Sequence, residues 1–141
     1  MNVELYQQAI KDLARAGHGG GRLVAASASA RLDNPLCGDR ITLDVRLADG
    51  KIVAIGHDTR GCLLCRAAAS WLAFEVPGGS PEQFAAAHRE LLALLQGAAT
   101  TPAIRTSLLL FSPVREHKSR HGCVLLPFET LRRALTEAAA S

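Results

Sequence analysis

The residues with most chemistry in this sequence are four cysteines and one aspartate. Cys37 and Asp39 stand two apart across Gly38, Cys62 and Cys65 follow, and Cys123 lies far along the chain. Cys37, Cys62 and Cys123 supply three soft thiolates and Asp39 one hard carboxylate. That donor set describes a metal or iron–sulfur site with one exchangeable position. Cys62 and Cys123 each precede a helical pattern, so the positive end of a backbone dipole favours their thiolates, the form that binds metal and attacks sulfur. Free cysteines are otherwise small buried hydrophobes. Three of them converging, with a carboxylate beside the first, point to a ligand cluster instead.

A hairpin must assemble this set. Ile41, Leu43, Val45 and Leu47 alternate with Thr42, Asp44 and Arg46, the period of a half-buried strand. Asp49-Gly50 supplies the positive-φ pair of a tight turn, and residues 51–55 return as a second strand. Antiparallel pairing then carries Cys37 and Asp39 toward Gly61 and Cys62. From Cys62 to Val76 the period becomes helical, through Leu63, Leu64, Ala67, Ala68, Trp71 and Leu72.

The remaining elements are read from the same signals. Residues 3–15 carry an amphipathic pattern on Val3, Leu5, Ile10 and Leu13, ended by Gly17, Gly19, Gly20 and Gly21. That glycine cluster lacks the Lys-Ser/Thr ending of a phosphate-binding loop and reads as a flexible linker. Residues 22–32 suit a strand with small side chains. Ser80-Pro81-Glu82-Gln83 is a capping box opening a helix that runs to Gln96, with His88 packed on its apolar stripe. A short helix is expected over 102–111, a loop over 112–122, and a helix over 123–140 with Phe128, Leu131, Leu135 and Ala138 inward. Helix, three strands, then helices predicts an α+β domain over residues 1–141: a small three-stranded antiparallel sheet with helices on one face.

Composition bounds the function classes. The chain has 141 residues, 48% of them hydrophobic but only 4% aromatic, and a net charge of +3. An aliphatic core is expected. Basic residues are scattered apart from the run 115–121, which gives no basis for a nucleic-acid partner. No apolar run is long enough to span a bilayer, so no membrane partner is expected and a soluble, cytoplasmic protein is. Four cysteines in that compartment are reduced thiols for metal or chemistry rather than disulfides.

Asn34-Pro35-Leu36-Cys37-Gly38-Asp39, Gly61-Cys62 opening a helix, and Arg120-His121-Gly122-Cys123 with Leu126 and Leu131 following together resemble the U-type iron–sulfur cluster assembly scaffolds (IscU, SufU and the N-terminal part of NifU). The resemblance spans about Leu5 to Leu135. It implies the SufE/NifU-like fold and a non-enzymatic scaffold, at most a zinc-dependent sulfurtransferase. It also implies a transient [2Fe–2S] cluster or Zn2+ held by Cys37, Asp39, Cys62 and Cys123. Sulfur would arrive as persulfide from a cysteine desulfurase, with Cys123 or Cys62 as acceptor, and recipient apo iron–sulfur proteins would take the product. Gly122 stands where the IscU-like branch has a histidine, which places the chain nearer the SufU-like branch. Ser112-Pro113-Val114-Arg115 does not match the Leu-Pro-Pro-Val-Lys chaperone motif, so an Hsp70-type partner is not expected.

Two other readings use the same cysteines. Cys62-Leu63-Leu64-Cys65 is a C-x-x-C at a helix start, as in thiol–disulfide oxidoreductases, but that motif normally follows a strand of a parallel βαβ unit. A structural zinc domain is the other, although closed sites prefer cysteine and histidine to a carboxylate. Cys65 is the alternative fourth ligand, because residues three apart share a helix face. Three thiolates and a carboxylate around a +2 metal leave about −2 to be offset. Arg60, Arg120 and His121 are the candidates for offsetting it.

Overall fold

The computed structural model describes residues 3–97 and 106–140, with the side chains of 3–6 and 106 left aside. The apolar pattern at Val3 and Leu5 and the start of the expected 102–111 helix therefore fall outside the described parts. The chain order is α1 (Val3–Ala16), β1 (Ala28–Asn34), β2 (Asp39–Ala48), β3 (Lys51–Arg60), α2 (Leu63–Glu75), α3 (Pro81–Leu95), 3-10 turns over Thr106–Glu116 and Lys118–Arg120, and α4 (His121–Ala140). The strands form one antiparallel sheet in the order β1-β2-β3. α4 lies against β1 and β2, α2 against β3 and α4, and α1 against α2. This is the expected α+β architecture.

β2 is the spine of the core. Ile41, Leu43 and Val45 are completely buried under the helices, and burying each such side chain contributes about 1.5–3 kcal/mol. The alternation slips at Arg46/Leu47, where the β2–β3 register shifts and leaves Leu47 half-buried. Asp49 and Gly50 both have positive φ, 53° and 75°, as the two-residue hairpin requires. β3 continues five residues beyond the expected Ile55. That length matters, because Arg40 pairs with Arg60 and so Asp39 falls beside Gly61. α3 starts on the expected box: Gln83 N–H donates to Ser80 Oγ, and Ser80 N–H donates to Gln83 Oε1.

Three expectations are corrected. The first strand spans 28–34 rather than 22–32. Residues 22–27 instead run along the sheet, where Arg22 and the Leu23 N–H both bond the buried Asp44. The glycine cluster is not a flexible linker. Gly21 N–H donates to the His57 carbonyl (2.8 Å) and His57 N–H to the Gly19 carbonyl (2.9 Å), so the segment is stitched to β3. Gly19 has φ +72°, and a Cβ there would lie 2.4 Å from the Ala73 Cβ, so close approach accounts for the glycine. Finally, residues 112–120 are not an open loop but 3-10 turns. Phe111 and Val114 are buried there and anchor the segment.

Candidate metal centre

The site forms where the β1–β2 turn, the start of α2 and the start of α4 meet. Asn34 builds the turn: its carbonyl accepts from the Cys37 and Gly38 N–H groups (3.2 and 2.8 Å), and its Oδ1 accepts from Leu36 N–H (3.1 Å). Gly38 takes φ +74°, which lets the chain swing back so that Cys37 and Asp39 both face the cluster. Cys37 is exposed, and Leu36 beside it is almost wholly so.

Asp39 is 2% exposed. Its Oδ1 accepts from the Cys62 N–H at 2.9 Å, and its Oδ2 lies 3.7 Å from Cys62 Sγ. Cys62 is the N-cap of α2 and its side chain makes no capping bond, so the carboxylate serves the positive end of this helix while its other oxygen meets the thiol. Gly61 is required by the same contact, because a Cβ there would lie 2.6 Å from Asp39 Oδ1.

Cys123 sits in the first turn of α4, fully buried, with Sγ 3.1 Å from Cys37 Sγ. Pro127, four residues on, has no N–H to give the Cys123 carbonyl. One ligand atom each from Cys37, Asp39 and Cys123 lies within 4.8 Å of the other two. Cys62 joins them through Asp39. Zinc or iron bound at about 2.3 Å by sulfur needs ligand atoms spaced on this scale, so the donor set and its spacing fit such a centre. Four described residues carry three thiols and a carboxylate into one partly buried corner.

The NifU-like N-terminal domain model matches residues 5–105. The chain belongs to that family. Its relatives include the iron–sulfur cluster assembly scaffold protein IscU of Thermotoga maritima, 27% identical over 131 residues, covering 93% of this chain and 92% of that one. The protein of the same name from Streptococcus pyogenes serotype M1 is 29% identical over 137 residues, with 96% and 85% covered. Among solved structures, a nitrogen-fixing NifU-like protein (N-terminal) from Brucella abortus superposes with a TM-score of 0.90 at 26% identity, covering 98% of this chain and 96% of that one. The U-type scaffold resemblance read from the motifs is thus the family of the chain.

Within this NifU-like domain Cys65 stands apart. It is completely buried among apolar side chains, and burial, then the charges of Asp39, Cys62 and Cys37, push its thiol pKa up. Its environment is that of a core residue. Burial, then hydrogen bonds with Cys37, Asp39 and Cys62, likewise raise the Cys123 thiol. The C-x-x-C lies after an antiparallel hairpin, not in the parallel βαβ context that thiol redox folds use. Of the charges expected to balance the site, Arg60 borders a depression with Asp39, Gly38 and Arg40. The His121 Nε2 lies 3.1 and 2.9 Å from the Val114 and Arg115 carbonyls, so that nitrogen is committed to the backbone. Arg40 was missed in the sequence because it reads as the outward residue of a strand; it pairs with Asp33 at 2.9 Å. Asn34 was likewise legible only as part of a motif, and its Nδ2 would lie 2.9 Å from any Cβ at position 122.

Proposed function

We propose that the protein is an iron–sulfur cluster assembly scaffold in which Cys37, Asp39, Cys62 and Cys123 hold the cargo, a [2Fe–2S] cluster or zinc. The observation that carries this is the convergence of Cys37, Asp39 and Cys123 within 4.8 Å, with Cys62 bonded to the same carboxylate. The family membership and the IscU relatives support the same reading. A harder oxygen ligand among three thiolates is the position most readily given up, which suits a centre that must release what it holds. No helix among the described residues is long and apolar enough to cross a membrane.

Sulfur reaches this site from the persulfide of a cysteine desulfurase, and recipient apo iron–sulfur proteins take the finished cluster. An acceptor thiolate attacks the terminal sulfur of the partner's persulfide; a new S–S bond forms, the old one breaks, and the partner's cysteine leaves as thiolate. Exposure reorders the acceptors expected from sequence. Cys123 is enclosed and its preceding segment is folded into 3-10 turns, whereas Cys37 is open to solvent and 3.1 Å from it. Cys37 therefore receives sulfur first and can pass it to Cys123 by the same exchange; Cys62 is half-buried. The test is anaerobic incubation with a desulfurase and cysteine, followed by ferrous iron and a dithiol reductant that, with the iron, supplies the electrons taking persulfide sulfur to sulfide. The expected result is added sulfur on these cysteines by mass spectrometry, then equal iron and acid-labile sulfide on the protein. No added sulfur and no sulfide would refute the reading.

A further inference from the structure

Residues of α3 and α4, none of them a candidate metal ligand, line a groove of about 810 Å3. Phe84, Leu92 and Leu135 line its apolar walls, and His88, Arg89 and Arg132 supply its cations and donors. His88 is 8% exposed, stacked on Phe84 and tilted against Phe128 (centroids 5.8 and 5.7 Å). Its ring nitrogens have no hydrogen-bond partner among the described residues and are not fully enclosed, so they are available to a molecule in the groove. Arg89 and Arg132 are exposed and make no ion pair among the described residues. Glu129 is the one carboxylate on the rim, so the groove keeps a net positive charge over an apolar bed.

We infer that this groove is a binding site for a free amphipathic monocarboxylate, an aliphatic acid whose chain lies along Phe84, Leu92 and Leu135. Its carboxylate would meet Arg132 and Arg89, with the His88 ring as a further donor. The volume falls in the range of small-molecule sites, which pair apolar walls with a few placed polar groups. Guanidinium is the side chain suited to holding a carboxylate. Burial, then the nearby Arg132 charge, lowers the His88 pKa, so a neutral ring with one N–H faces the acid at pH 7. The inference shares no residue with the cysteine site and stands or falls independently of it.

Trp71, the single tryptophan, stacks on Phe128 at 5.5 Å, and Phe128 contacts His88, so its fluorescence reports on the groove. The full-length protein is titrated with decanoate and with decanol. The expected result is a saturable Trp71 response to decanoate, about tenfold weaker for decanol and about tenfold weaker in an R89A/R132A variant, since each loses the charge-assisted contacts. R133A, exposed on the same helix but outside the groove, should bind as the parent does. Equal binding of decanol, equal weakening by R133A, or no saturable response would overturn the inference. So would sedimentation showing a dimer that R89A/R132A dissociates, because a second copy would then occupy the groove.

Discussion

Substituting Gly61 by alanine isolates the contact on which the site turns. Gly61 has no positive φ to preserve, so the effect is steric alone. The added Cβ would lie 2.6 Å from Asp39 Oδ1 and 2.9 Å from its Cγ, closer than carbon and oxygen tolerate. Asp39 is 2% exposed and closely packed, so relieving the clash moves its carboxylate off the Cys62 N–H. A hydrogen bond to a charged group contributes about 1.5–3 kcal/mol, and forced repacking adds about 1–3 kcal/mol. Gly61→Ala should therefore cost about 3 kcal/mol in urea unfolding of the metal-free protein. Combined with Asp39→Ala, only the 3.1 Å approach to the Asp39 Cβ remains, and the added cost of Gly61→Ala should fall below about 1 kcal/mol. An equal cost of Gly61→Ala in both backgrounds would refute the carboxylate contact as its cause.

Cys65→Ser should lower stability by about 1–3 kcal/mol, because it buries a hydroxyl among apolar groups, yet leave metal content intact; Cys123→Ser should remove most of the metal, read by elemental analysis. In metal-free protein, iodoacetamide should alkylate Cys37 first, followed by peptide mapping; Cys123 reacting first would contradict the burial order. Gly122→His should drive Asn34 out of its place, release the Leu36 N–H bond and speed Cys37 alkylation, with fold retained by circular dichroism. Burial would raise the Asp44 pKa, but bonds from Arg22, Ser29 and the Leu23 N–H outweigh it and lower the carboxyl to about 2. A depressed folded value means stability present above about pH 4 and lost as pH falls toward 2. Arg22→Ala should move that acid transition to higher pH, seen in unfolding scans.

The hairpin, the helix beginning at Cys62 and the capping box at Ser80 were legible because each is set by local chemistry: alternation, positive-φ residues, a reciprocal cap. The Cys37/Asp39 approach to Cys62 followed from the pairing those signals impose. What was not legible depends on contacts distant in sequence. Gly19 is fixed by Ala73 and Ile55, and nothing in the run 17–21 announces it. Residues 112–120 are polar enough to read as loop; Phe111 and Val114, buried against the fold, and the His121 ring on the Val114 and Arg115 carbonyls hold them in 3-10 turns. Periodicity could place Cys65 on the same helix face as Cys62 but not reveal that its thiol is sunk in the core. The pattern likewise gives no sign that the His121 ring nitrogen bonds the backbone of the preceding turn.

The central claim is the ligand set itself, three thiolates and one carboxylate. X-ray absorption at the metal edge of protein loaded anaerobically with zinc tests it most directly. Three sulfur neighbours at about 2.3 Å and one oxygen at about 2.0 Å are expected, the oxygen disappearing or being replaced in Asp39→Ala. Four sulfur neighbours, with the fourth lost in Cys65→Ser, would contradict it.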